Sequence, residues 1–278
     1  MTTVLTIARD VVREAFASRY MMVLFALIAV ALMVLSFSLN LEVVDGALAA
    51  TRLFGQKQQV AIGSVDVLLR PVFRAIAWMV FYLGLLFGVV VTADIAPRVF
   101  APGRVEFTLA LPVRRLELVL GVYLGVGVVC ASATLFAVGG TSLVFFVKAG
   151  FATAAPAVGA LLAVVGFLPL YAAMLLAGVI TRSPAASAGS GISLYLLGIV
   201  VADKREILSW MDKGIVRSAV DVLLTPIPNL RGLGDVAGNF AGSEPVTLGL
   251  ALPIVGGALA FAAFCVVLAA AVVQTRDY

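Results

Sequence analysis

Few side chains in this sequence could act as chemical groups, and none sits beside a partner that would activate it. There is no histidine, which excludes histidine zinc sites, Ser-His-Asp triads and histidine proton relays. Ser190, in "GSG", has no base available, and the triplet reads as a place where helices pack closely. Cys130 and Cys265 both fall inside apolar runs, so no disulfide framework is indicated. No Walker A loop, GxxxxGK[ST], occurs anywhere. What does cluster is charge. "DIAPRVFAPGRVEFTLALPVRRLELVLG" runs from Asp94 to Gly121 and carries Arg98, Arg104, Glu106, Arg114, Arg115 and Glu117. Its chemistry is recognition: a short rigid segment that a soluble partner grips, or a set of guanidinium groups for lipid phosphates. The plain alternative is a solvated turn.

Long apolar runs must position this segment. The chain of 278 residues is 63% hydrophobic and 12% charged, about half the charge of an average soluble domain. Its solvent is therefore lipid. Six runs are long enough to cross about 30 Å of hydrocarbon, which takes about 20 helical residues. They are 20–39, 75–93, 118–147, 154–180, 185–202 and 246–273. All are continuous rather than alternating, so they read as helices and not barrel strands. The third, fourth and sixth exceed one span and are expected to tilt or kink, with Pro169 and Pro253 inside the last two. The first run is long for a signal peptide and no small-x-small site follows it, so it is expected to stay as a span. Every charged residue lies outside the six apolar cores. An ion pathway or proton relay through the membrane is therefore disfavoured. So is an intramembrane protease.

Residues 1–19 carry Val4, Leu5, Ala8, Val11, Val12, Ala15 and Phe16 on one side at helical spacing. Arg9, Asp10, Arg13 and Glu14 lie mostly on the other. This is an amphipathic helix suited to the membrane interface. Residues 40–74 and 203–245 form two long segments on one side of the membrane. Within the first, "SVDVLLRPVFRAIAW" reads as a separate surface helix with Ser64 as its N-cap. Within the second, Ile207 to Leu223 form an apolar stripe before "TPIPNLRG" breaks it. Two GxxxG stretches, Gly84–Gly88 and Gly121–Gly125, mark close helix approach, between spans or between copies. Lys and Arg divide nine to ten between the two sides. The nine sit in short loops and flanks, where the positive-inside rule weighs them, so both termini are expected inside. The expected fold is an all-α integral membrane protein, one domain over 1–278. It has six transmembrane helices, an N-terminal amphipathic interfacial helix and a short cytoplasmic helix between spans two and three.

That loop reads "GRVEFTLALPVRRLELVLGVYLG" from Gly103 to Gly125. It resembles the ABC-2 type permeases, the membrane subunits of ATP-binding-cassette transporters. The likeness lies in a glycine-led turn, an alternating apolar stretch, Pro-x-x-Arg, and then the start of a span. It extends to the N-terminal helix, the six-span layout and "PIPNLRGLGD" before the last span. Val122 departs from the pattern, where relatives often carry lysine. The resemblance implies a permease, an exporter by expectation, with no catalytic site and no bound cofactor of its own. ATP and magnesium would belong to a separate ATPase subunit. It implies that Arg98, Phe100, Arg104, Glu106, Phe107, Leu109 and Leu111 form a coupling helix that docks on that ATPase. Pro112, Arg114 and Arg115 would form a hinge or lipid anchor. The partners implied are the ATPase, a second permease copy or a similar permease, and the lipid bilayer. Nucleic acid is not among them. The implied location is the bacterial or archaeal cytoplasmic (inner) membrane. Two other readings stay open: a non-transporting scaffold of an ATPase complex, and a stand-alone secondary transporter or channel. The uncharged spans favour apolar or amphiphilic cargo.

The topology is testable with single cysteines and an impermeant thiol reagent on intact cells. Positions 57 and 213 are expected to label and positions 9 and 114 to stay protected. Labelling at 114 without labelling at 213 reverses the assignment.

Overall fold

The computed structural model describes residues 2–44, 47–53, 56–58, 63–109, 113–149, 155–210, 214–242, 244, 246 and 248–275. Helix α1 (Thr2–Ala17) leads into α2 (Arg19–Ser38). Short antiparallel strands follow: β1 (Leu39–Val44), β2 (Ala47–Leu53), β3 (Gln56–Gln58) and β4 (Gly63–Ser64), with β2 pairing all three others. Then come α3 (Val65–Thr92), α4 (Ile95–Val99), α5 (Arg104–Leu109), α6 (Arg115–Ala149), α7 (Ala155–Thr181) and α8 (Pro184–Val200). A 3-10 turn leads to α9 (Lys204–Ser209), α10 (Ile215–Leu224), α11 (Leu230–Ala241) and α12 (Leu248–Thr275). The protein is predominantly helical, and α2, α3, α6, α7, α8 and α12 supply six helices long and apolar enough to cross a membrane.

The bundle is built around α7. Of its apolar window 61% is buried, against 6% for the window on α2, so α7 is the central strut and α2 the peripheral one. Helix α7 packs on α3, α6, α8, α11 and α12. Phe167, Leu170, Tyr171, Met174 and Leu175 are buried along it. The exposed apolar faces of α2 and α12, such as Val30, Met33, Phe264 and Val267, belong against lipid tails. Three buried hydroxyls in the bundle bond to backbone carbonyls. Thr92 donates to the Gly88 carbonyl at 2.7 Å, Thr141 to Ala137 at 2.8 Å, and Ser187 across to Met174 on α7 at 3.1 Å. Hydrocarbon offers no replacement partner, so such bonds remove a cost of burial.

One expectation is corrected here. The segment around Pro71 is not a separate surface helix. Helix α3 runs unbroken from Val65, with Pro71 inside it. Phe73, Ala77, Phe81, Leu85 and Val89 recur every fourth residue and all are buried. That continuous stripe, packed on α7 and α11, outweighs the single hydrogen bond that Pro71 removes.

The two GxxxG stretches do different work. Gly121 and Gly125 on α6 receive α1. A methyl on Gly121 would lie 2.7 Å from Ile7 Cβ, and one on Gly125 would lie 2.9 Å from the Ala8 carbonyl oxygen. Ala8, Val11 and Ala15 of α1 are buried in this seam. In the other pair, Gly88 faces Phe167, whereas Gly84 has open space beside it. Gly84 lies on a cavity of about 250 Å³ between α2, α3 and α6, lined by apolar side chains such as Leu32, Leu83 and Ala133.

This contrast gives a test. Gly125→Val should displace α1 and destabilise the purified protein by about 1–3 kcal/mol, the usual cost of overpacking. Faster tryptic cleavage at Arg9 and Arg13 should accompany the loss. Gly84→Ala should leave the melting temperature unchanged. Equal behaviour of the two variants would refute the α1–α6 seam.

Candidate functional site

The charged segment folds as an elbow between the second and third apolar helices. Helix α3 ends at Thr92, and α4 starts after Asp94. The chain then reverses at Gly103, whose φ of 81° lies in the left-handed region that favours glycine. Helix α5 follows from Arg104, and α6 begins at Arg115. The underside is apolar. Ala96, Phe100 and Val105 are fully buried, and Pro97 and Val99 nearly so. Gly178 on α7 lets α4 come close, since a methyl there would lie 3.1 Å from Ala96 Cβ and from Pro97 Cδ. The elbow is therefore seated on the central strut.

Its rim is charged and exposed. Arg98 pairs with Asp94 one turn earlier and reaches Glu14 of α1 at 3.5 Å. Arg104 grips the same carboxylate with two nitrogens, at 2.9 and 2.5 Å. Two-nitrogen binding of this kind is among the stronger forms of ion pair. Glu14 thus joins α1 to both short helices of the elbow. The hydrogen bonds from Arg104 hold the Glu14 carboxyl below the usual glutamate range. Partial burial opposes this, and the charges of Arg104 and Arg98 reinforce it.

The residues expected to act together are divided by the structure. Arg98 and Arg104 converge on Glu14, while Glu106 is exposed on α5. Phe100 is fully buried. It can seat the elbow but presents no surface to a partner. Phe107 and Leu109 belong to α5, but their side chains lie outside the described residues, as do Leu111 and Pro112 entirely. Arg114 is exposed, and its backbone N–H donates to Glu117 at 3.2 Å, closing the first turn of α6. Arg115 turns away to the end of α12. It donates to the carbonyls of Val273 at 2.8 Å and Gln274 at 3.1 Å. A cation at a helix C-terminus satisfies orphan carbonyls and complements the dipole. Ser190 donates to the Ser187 carbonyl at 2.8 Å, a bond within its own helix turn.

Two features were not anticipated from sequence. Glu14 was placed on the polar face of α1, but nothing local pointed to a partner 90 residues away. The sequence shows α11 only as part of the segment before the last span, with no sign of its packing beyond its glycine spacing. It is wedged against α3, α7 and α8, with Leu230, Leu233, Val236 and Ala237 buried. Gly234 lies under Tyr82, and Gly159 on α7 faces the Ala237 carbonyl oxygen at 3.3 Å from a would-be methyl. Asn229 caps α11 by accepting from the Gly232 N–H at 2.8 Å. Comparison of the sequence with protein-family models and with curated proteins gives no match.

Charge exchange tests the junction. Glu14→Arg should lower the melting temperature and loosen α1, and adding Arg104→Glu should recover part of the loss. Because these groups are substantially solvated, the effect should stay near or below about 1 kcal/mol. The sign with pH follows from the lowered carboxyl. The folded protein releases this proton more readily than the unfolded chain, so the stabilisation is complete above the ordinary value near 4.5 and is lost as pH falls below it. Glu14→Gln should abolish that part of the acid dependence. Identical acid unfolding of the native protein and Glu14→Gln would remove the junction's role.

Proposed function

We propose that this multi-pass membrane protein is the permease subunit of an ATP-binding-cassette transporter of the ABC-2 type, driven by a separate ATPase that docks on the α4–α5 elbow. The observation that supports this most is the elbow itself. It is a short helical element, seated on the central strut, with a charged rim exposed beyond the apolar helices. The sequence has no Walker A loop, so if the protein moves cargo uphill the energy enters through a partner. In this reading the elbow and both termini face the cytosol of a bacterium or archaeon. Helix α1 lies along the inner leaflet, and two permease copies, identical or similar, assemble with two ATPase subunits. The complex exports an apolar or amphiphilic cargo.

Each part then has a physical task. Arg98, Arg104 and Glu106 present charges of both signs to the ATPase. Displacement of the elbow is passed on through three contacts. Glu14 carries it to α1, Ala96 and Pro97 carry it to α7, and Arg115 ties the start of α6 to the end of α12. ATP binding closes the ATPase dimer. It shifts the bundle between access states only as far as its affinity differs between them.

Glu106→Arg is the cleanest probe, because Glu106 is exposed and its reversal leaves the Glu14 junction intact. Like charges at a docking surface cost several kcal/mol, and each ~1.4 kcal/mol is tenfold in affinity. Co-purification of a co-expressed ABC ATPase partner should therefore fall at least tenfold, with an unchanged melting temperature. Pro112→Ala should retain the ATPase but transport poorly. Normal ATPase recovery and ATP-driven transport in both variants would overturn the proposal. Recovery without any transport by the native complex would favour the scaffold reading.

A further inference from the structure

Helix α10 is amphipathic, yet its apolar side is left open rather than packed on the bundle. At 100° per residue, Arg217, Ser218, Asp221 and Thr225 share one narrow side. Part of that side meets α9, although Ser218, Asp221 and Thr225 stay exposed. Lys204 at the start of α9 pairs with Asp221 at 2.6 Å and donates to Thr225 at 2.8 Å. The wide apolar side faces away. Ile215 is 89% exposed, Val216 70%, Val222 72% and Leu223 70%, and no residue of α10 is buried. Just before it stands Trp210, 78% exposed. So many large apolar side chains left open on one short segment are of a kind that soluble proteins seldom leave uncovered.

Its position says what covers it. The helical segment of α8 continues through a 3-10 turn and α9 to Ser209, 26 residues in all, and its apolar part gives way to charge at Asp203–Glu206. At 1.5 Å per residue that is about 39 Å, more than the ~30 Å hydrocarbon core. The near end of α8 adjoins the elbow side, because α7 and α8 are joined there by the tight turn at Arg182 and Ser183, capped by Ser183. The far end, with α9 and Trp210, therefore emerges at the headgroups of the opposite surface. Tryptophan favours that depth, because its ring is apolar and its N–H is wet. The lipid-facing side chains Leu196, Leu197 and Val200 of α8 lead up to it.

We propose that α10 lies in the membrane interface on the side opposite the elbow, its apolar face sunk among the upper acyl chains and Trp210 at headgroup level. Lipid fits this face better than a second copy does. A protein interface carries a polar rim that sets its register, whereas the polar strip of α10 is already engaged by Lys204. The exposed charges near it are mixed in sign, so zwitterionic lipid suffices and apolar area supplies the binding. The inference rests on the fold and is independent of the transport reading.

Trp210 reports on it directly, since Trp78 is the only other tryptophan. The full chain carrying Trp78→Phe is reconstituted in phosphatidylcholine vesicles, plain or brominated either near the headgroup or near the chain end. Emission from Trp210 should be quenched several-fold more by the shallow bromines than by the deep ones. The double substitution Ile215→Asp and Leu223→Asp should return it to the plain-lipid level, and adding anionic lipid should change little. Should Trp78→Phe fail to fold, the difference between the native protein and Trp210→Phe gives the same signal. Unquenched emission typical of water-exposed indole would overturn the proposal. So would blue-shifted emission without quenching, which would mean that a second copy covers the face.

Discussion

The position of α1 beside the elbow depends on a close approach to α6 at two glycines. Helix α1 reaches α6 only because Gly121 and Gly125 carry no side chains where Ile7, the Ala8 carbonyl and Val11 approach. In lipid the association of helices gains little from the hydrophobic effect, since the tails are as apolar as leucine. Close van der Waals approach carries it instead. Small residues in the seam are thus the source of its strength rather than a gap in it. With α1 fixed, Glu14 falls within reach of Arg98 and Arg104, which neither helix could arrange alone.

The junction places a mostly exposed group of charges over a dry base. Beneath it, Phe100, Val105 and Ala96 are fully buried against the bundle. Above it, the guanidinium groups of Arg98 and Arg104 are each nearly half exposed. Solvated ion pairs contribute little to stability, so the apolar base holds the elbow in place and the charges orient it. The link from Arg115 to the last carbonyls of α12 draws the other end of the chain to the same surface. Three elements distant in sequence therefore meet where the chain leaves the apolar layer.

The other side of the bundle is organised differently. Helix α11 replaces bulk with glycine to enter between α3, α7 and α8, and Gly198 admits Leu230 in the same way. Where it ends, Arg74 stands over the Trp78 ring at 5.8 Å and pairs with Glu244 at 2.8 Å. An aromatic and cationic layer at that level suits the boundary between hydrocarbon and water. Helix α10, a few residues earlier in the chain, shares no such packing and shows its apolar side outward.

Composition and run length alone determined the membrane class and the six apolar helices, because crossing hydrocarbon demands about 20 apolar residues and satisfied backbone groups wherever they occur. The turn at Gly103, the short helix before Pro112 and the restart at Arg115 were also legible, since proline and glycine act on their own neighbours. Tertiary structure decided the rest. Pro71 did not separate a surface helix, because the stripe from Phe73 to Val89 is only a core once α7 and α11 cover it. "GVYLG" could have joined spans or copies, and only the placement of α1 chose between these. Glu14, Arg98 and Arg104 were each visible as charges, and Phe100 as an aromatic beside them. The pairing of the three charges depends on contacts 84 to 90 residues apart, and local periodicity carries no information over that distance.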